Sequence, residues 1–160
     1  MPTFSVPRAP RPSLASVKAL VVGHSEPAGA LTSALADEGV EAELHAVPRP
    51  PADRAVQDLA LDFVELERLL SESPADLAIA VGLGDAPVAL AVVAAKLGVP
   101  LVAWVEDGQP PNGELEAAER RILDELADLD AGPVGDGVQA HEAARAIASW
   151  GRDRPGADLD

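Results

Sequence analysis

The segment DLAIAVGLGDAPVALAVVAAKLGVPLVAWVEDG, residues 76–108, decides the fold. Two continuous apolar runs lie at its ends, and continuous apolar runs are typical of strands buried on both faces. Between them lies a stretch of helical length that ends at Gly98, with Asp85 placed to cap its start. Strand, helix and strand in this order predict a right-handed βαβ unit with parallel strands.

The same alternation continues on both sides of this unit. It predicts a single Rossmann-like three-layer α/β domain with a mostly parallel sheet over residues 17–150. A flexible lead-in, 1–16, precedes the domain, and an acidic tail, 151–160, follows it. The other predicted elements are a strand at 17–22, a turn at 23–29, a helix at 30–39, an edge strand at 40–47, a loop at 48–53, helices at 54–73 and 114–129, a short strand at Pro133–Val134 and a helix at 138–150.

The composition limits what this domain can contain. A length of 160 residues suits one core, and with 2% aromatic residues that core must be built from Ala, Val, Leu and Ile. Cysteine is absent, which excludes disulfides, thiolate metal sites and cysteine nucleophiles. No apolar run reaches about 18 residues, and the N-terminus lacks a signal-peptide layout. We therefore expect a cytoplasmic protein with no membrane partner. No dinucleotide fingerprint, phosphate-binding loop or zinc spacing occurs in the sequence, so no cofactor and no metal are expected.

The charge is strongly negative. The formal net charge is −15, from 27 acidic and 12 basic residues. Such a field repels nucleic acid and anionic membranes, so neither is expected as a partner. Only Lys18 and Lys96 are lysines, and an acidic, lysine-poor surface favours a halophilic cytoplasm in which salt screens the self-repulsion. An acidic mesophilic protein from a GC-rich genome is the alternative.

Three loops are predicted at the carboxyl edge of the sheet, where parallel α/β proteins carry their working groups. They are GHSEP after the first strand, GLGDAP after the third and EDGQPPNGELE after the fourth. Neighbouring carboxylates can divide acid and base roles between them. The side chains expected around one crevice are His24, Glu26, Asp85, Glu106, Asp107 and Glu116.

Ordered landmarks across residues 76–133 carry a family resemblance. They are Gly84-Asp85, Leu97-Gly98-Val99-Pro100, Val105-Glu106-Asp107-Gly108, Glu116 with Arg120, and Leu126-Ala127-Asp128-Leu129. This set resembles the N-terminal half of the UDP-N-acetylglucosamine 2-epimerases, enzymes with two Rossmann-like halves and the nucleotide sugar between them. They remove a proton next to the anomeric carbon and eliminate UDP, then add UDP back and return the proton to the other face. The resemblance implies that this domain is one half of such a GT-B-like architecture.

The resemblance implies a role for eight residues. The catalytic carboxylates would be Asp85, Glu106 and Glu116. The residues binding a UDP-sugar would be Gly23, His24, Ser25, Gly84 and Arg120.

The sequence also departs from the family. The Arg of the opening turn is missing, because GHSEP has His24 and Ser25 there, and Ala117 and Glu119 replace a Glu and an Asn. No counterpart of the C-terminal half follows, so we expect a domain that is weak or inactive alone and depends on a homodimer or on a separate partner. The alternatives are a non-catalytic binding or regulatory module, or a nucleotide-binding domain of the electron-transfer-flavoprotein type.

Each candidate residue also has a structural interpretation. Asp85 could serve only as a helix cap, and Glu106 as a solvated loop residue. Glu116 and Glu119 could belong to a solvated helix face, paired with Arg120 or Arg121. Trp104 is expected in the core, His45 in a structural role and His141 on the surface.

Overall fold

Strands and helices alternate through the computed structural model, which describes residues 17–47, 56–105, 114–131 and 137–153. The elements in chain order are β1 (Lys18–His24), α1 (Ser25–Asp37), β2 (Glu41–Val47), α2 (Val56–Glu72), β3 (Leu77–Val81), α3 (Asp85–Leu97), β4 (Leu101–Trp104), α4 (Glu114–Leu126), β5 (Leu129–Asp130) and α5 (Gly137–Asp153). None of these helices is long and apolar enough to cross a membrane.

The five strands form one parallel sheet in the order β2-β1-β3-β4-β5. The chain leaves β1 towards β2 on one side, and β3 pairs on the other side, so the strand order reverses between β1 and β3. Such a reversal opens a crevice at the carboxyl ends of the two strands. The predicted Rossmann-like α/β fold is confirmed.

The core has two layers, one on each face of the sheet. In β1, Ala19 and Val21 face the layer under α1 and α5, whereas Leu20 and Val22 face the layer under α2, α3 and α4. This alternation follows from the two-residue period of a strand, and it makes both faces apolar. Trp104 is fully buried on the α1 and α5 side, which confirms its predicted core position.

Helix α1 begins earlier than the sequence indicated. Residues 25–29, predicted as part of a turn, form its first turns, and Pro27 is its third residue. The first four N–H groups of a helix have no intrahelical acceptor, so a proline there sacrifices no hydrogen bond. The proline therefore marks a helix start in this chain, and Pro87 occupies the same position in α3.

The end of the sheet also differs from the prediction. The last strand is Leu129–Asp130, directly after α4, whereas Pro133 and Val134 lie outside the described residues. Helix α4 accordingly stops at Leu126 rather than Leu129, and α5 continues to Asp153.

Two aspartates link the starts of neighbouring strands by hydrogen bonds at the amino-terminal edge of the sheet. The N–H of Lys18 donates to Asp76 Oδ2 over 2.9 Å, and the N–H of Asp76 donates to the Lys18 carbonyl over 2.8 Å. Asp128 makes the same reciprocal pair with Leu101, over 2.9 and 2.7 Å. Both aspartates stand in the sequence Ala-Asp-Leu just before a strand, so one local motif anchors β1 to β3 and β4 to β5.

Removing either carboxylate should destabilise the fold. We expect Asp128→Ala to cost about 2 kcal/mol and the more exposed Asp76→Ala about 1 kcal/mol, since hydrogen bonds to charged groups contribute about 1.5–3 kcal/mol before solvent exposure reduces them. Urea unfolding followed by circular dichroism in concentrated KCl measures both losses. Asp37→Ala, at the exposed end of α1, is the control and should change stability by less than about 0.5 kcal/mol. Equal stability of all three variants would show that the two ties contribute nothing.

Candidate functional site

Strands β1, β3 and β4 end side by side at the carboxyl edge. Gly23 is paired with Val81, and Val81 is paired with Trp104. The N–H of Gly82 then donates to the Trp104 carbonyl over 2.9 Å. This hydrogen bond keeps the segments that follow β3 and β4 close together just past the strand ends. Helices α1 and α3 both start here, at Ser25 and Asp85, so the crevice between β1 and β3 lies between two helix N-termini.

A glycine-rich turn leads from β3 into α3. Gly82 has φ 80° and Gly84 has φ 139°, conformations that residues with a Cβ rarely adopt. Gly84 occupies the N-cap position of α3, and its carbonyl accepts the N–H of Val88 over 3.3 Å. The prediction that Asp85 caps the helix is therefore wrong. Asp85 is the first helical residue, where its half-buried carboxylate lies at the positive end of the helix dipole.

Gly23 has a packing reason of its own. A Cβ at this position would lie 2.5 Å from the Val81 carbonyl oxygen and 2.7 Å from the Val81 Cβ. Real Cβ atoms do not approach other atoms so closely, so only glycine fits where β1 meets β3. The family resemblance implies a ligand-binding role for Gly23, and the structure adds a packing requirement of the sheet itself.

The other predicted residues are only partly placed. The backbones of His24 and Ser25 lie at the carboxyl edge, where β1 passes into α1, but their side chains are outside the described set. Glu106 lies outside the described residues, two positions beyond the end of β4. Glu116 is on α4, and its side chain is not described. The structure thus places Gly23, Gly84 and Asp85 at the same edge of the sheet, at the ends of β1 and β3.

Arg120 lies on the other side of β4. It is half-buried on α4 and lines a cavity of about 200 Å³ between this helix and strands β4 and β5. Ala103, Val105 and Ala127 provide apolar parts of the wall, and the remaining lining residues are Asp124, Asp128 and Asp130. Because the strand order runs β1-β3-β4-β5, this cavity is separated from the β1–β3 crevice by β4.

Sequence reasoning missed Glu119. Its side chain is 4% exposed and is the only buried charged side chain among the described residues, so the expectation that it belongs to a solvated helix face is wrong. Glu119 precedes the fully buried Leu123 by four residues and therefore shares its helix face, which packs towards α3. The spacing of 119, 123 and 126 could have revealed this face, but a glutamate at the first position argued for exposure.

The remaining histidines and acids give no metal centre in the part of the chain that the structure describes. No group of three or more His, Asp or Glu side chains there is arranged to hold a metal ion. His141 is exposed on α5, as predicted, and His45 is half-buried on the edge strand β2.

Solved structures with this arrangement are known. UDP-GlcNAc 2-epimerase from Methanocaldococcus jannaschii aligns over 87% of this chain and 43% of its own, with TM-score 0.58 and 14% identity. The enzyme from Neisseria meningitidis bound to UDP-GlcNAc aligns over 70% and 38%, with TM-score 0.55 and 13% identity. The S. aureus MnaA–UDP co-structure aligns over 84% and 41%, with TM-score 0.61 and 16% identity.

The chain has the fold of one Rossmann-like half of the UDP-GlcNAc 2-epimerases. The resemblance inferred from the sequence is thereby confirmed for the fold, with a coverage consistent with the N-terminal half. At these identities the epimerase likeness shows the fold alone, and the chain spans about 40% of the length of the proteins it matches. No protein-family model and no curated protein matches the sequence.

Proposed function

We propose that this chain is a UDP-sugar-binding domain of the UDP-GlcNAc 2-epimerase type that is catalytically weak or silent alone. The observation that carries the proposal is the reversal of strand order between β1 and β3, the place where doubly wound sheets hold nucleotides. Gly23 lies at the carboxyl end of β1, and Gly84 and Asp85 follow β3 at the same edge. Structures with the same fold contain UDP or UDP-GlcNAc.

The residues at this crevice suit a sugar nucleotide in different ways. The glycines let a ligand approach the backbone closely, and the N-termini of α1 and α3 attract a diphosphate. Asp85, together with Glu106 and Glu116, would exchange the sugar proton. His24 and Ser25 would contact the ligand next to Gly23. Arg120 lines the separate cavity beside β4 and β5 and is not part of this site.

The same edge also explains why we expect weak binding. Glu26 and Asp85 lie in the first turns of α1 and α3, where their negative charges oppose a diphosphate. One domain also provides one wall of a cleft, so water is not excluded and proton abstraction gains little electrostatic help. A second wall would come from a second copy of the chain or from a separate partner.

Binding of UDP-GlcNAc can be measured by ligand-observed NMR in concentrated KCl, where one sample also reports conversion to the manno epimer. We expect millimolar binding without conversion. Asp85→Asn should bind about fivefold more tightly, because about 1 kcal/mol of repulsion with the diphosphate disappears. Asp37→Asn, which neutralises an exposed carboxylate at the other end of α1, should bind like the unmodified protein.

Three results would decide against parts of this proposal. No binding by well-folded protein would reject the UDP-sugar ligand. Robust epimerisation by the isolated chain would reject a silent domain. Binding that Asp85→Asn leaves unchanged would move the ligand away from the β1–β3 crevice.

A non-catalytic binding or regulatory module is the second candidate. Gly23 is required by its contact with Val81, and Asp85 stabilises the start of α3, so both have reasons to be present without catalysis. Binding of UDP alone, equal in strength to binding of UDP-GlcNAc, would favour this reading because it needs no recognition of the sugar.

A further inference from the structure

A second cavity, of about 410 Å³, lies at the amino-terminal edge of the sheet, opposite the carboxyl edge that carries the proposed UDP-sugar site. It is formed where α3 and α4 end and β4 begins, and it is open to solvent on one side. Its lining residues are Ala94, Ala95, Gly98, Val99, Pro100, Leu101, Leu126, Asp128 and Trp150. It is therefore distinct from the β1–β3 crevice.

Two helices point their negative ends at this cavity. Helix α3 ends at Leu97 with Gly98 as its left-handed cap, and α4 ends at Leu126. A helix C-terminus carries about half a negative charge and favours cations. Yet the last turn of α4 has no basic residue, and its acidic side chains include Asp124 and Glu125. The potential at this end of α4 is negative in both its backbone and its side chains.

The charged side chain that lines the cavity is Asp128. One of its oxygens accepts the N–H of Leu101, and a carboxylate has further acceptor positions for another donor. Lys96 is the basic residue in the last turn of α3, but it does not line the cavity. Its Nζ lies 2.9 Å from Glu67 Oε2 on α2, which holds that charge on the outer face of the helices.

The other side chains that line the cavity are apolar or aromatic. Val99, Pro100 and Leu126 are partly exposed beside the half-buried ring of Trp150. Apolar walls take up a hydrocarbon body, and the face of a tryptophan attracts a cation. The protein as a whole, at −15, also concentrates cations near its surface.

We propose that this cavity binds a small organic cation with an apolar body, of the aryl- or alkyl-ammonium class. The ammonium group lies between Asp128 and Trp150, and the apolar body covers Val99, Pro100 and Leu126. This site is independent of the proposed UDP-sugar site, and its test does not require a nucleotide.

The probe is benzyltrimethylammonium, titrated in phosphate buffer with KCl and without amine buffers, and followed by tryptophan fluorescence. We expect a saturable change that disappears in Trp150→Phe, because Trp104 is fully buried and does not report on this cavity. Asp128→Asn retains Trp150 and an oxygen that accepts the Leu101 N–H, and it should weaken binding about fivefold or more.

Asp76→Asn is the matched control. It also removes a carboxylate charge from a reciprocal hydrogen-bond pair of the same kind, but this pair joins β1 and β3 and lies outside the cavity. Its affinity for the probe should equal that of the unmodified protein. Equal loss in Asp76→Asn and Asp128→Asn, or equal binding of neutral benzyl alcohol or anionic benzoate, would overturn the proposal. An unsaturated, linear response in the unmodified protein would overturn it as well.

Discussion

Replacing Trp104 by alanine is expected to lower the free energy of unfolding by about 4 kcal/mol, the usual range for a buried tryptophan being about 3–5 kcal/mol. Trp104 is the last residue of β4, and its side chain is completely buried beneath α1 and α5. The neighbouring core is rich in small side chains such as Ala140, Ala143 and Ala144, which cannot move in to fill the space. The cavity left by the missing ring therefore stays largely unfilled, and the loss in unfolding free energy remains large.

Urea unfolding followed by far-ultraviolet circular dichroism, in concentrated KCl, measures this loss without relying on tryptophan emission. Trp150→Ala is the matched control because Trp150 is only half-buried, and we expect it to cost less than about 2 kcal/mol. Losses of equal size would mean that Trp104 is not enclosed as the structure places it.

Gly23→Ala should have the next largest effect, a loss of about 3 kcal/mol. The new methyl group would meet the carbonyl oxygen of Val81 at 2.5 Å, and a backbone atom cannot rotate away as a flexible side chain does. Strand β3 is held between β1 and β4, so relief requires the carboxyl ends of two paired strands to separate. The same change would widen the crevice next to Asp85.

The control is Gly29→Ala, measured by the same urea titration. Gly29 lies within α1, and an added Cβ there meets no atom within 4 Å. Alanine is favoured over glycine in a helix by about 1 kcal/mol, so this variant should be more stable than the unmodified protein. If both variants gained stability, the close approach of β1 to β3 would be refuted.

The sequence was sufficient for the fold because β1, β3 and β4 lie in continuous apolar runs, which are typical of parallel strands buried on both faces. It misplaced elements where short-range signals compete. Pro27 predicts a turn by its residue type, although proline is acceptable in a first helical turn. Strand β5 has two residues, too few to show any period, so its position could not be read from the pattern.

The site could be located from topology but not in detail. Strand alternation alone predicts that Gly23, Gly84 and Asp85 follow strands that end at one edge. The clash that makes Gly23 necessary joins residues 58 positions apart, and no local pattern reports such a contact. The burial of Glu119 was missed for a related reason, because amphipathic spacing assigns carboxylates to the solvent unless the packing of α4 on α3 is known.

Strand β2 closes one side of the sheet, and no strand among the described residues pairs with its outer edge. An open edge of seven residues could pair with the same edge of a second molecule. Its exposed Glu41 and Glu43 would then meet like charges across the new contact, which is unfavourable. Glu41 and Glu43 thus disfavour edge-to-edge pairing of two β2 strands.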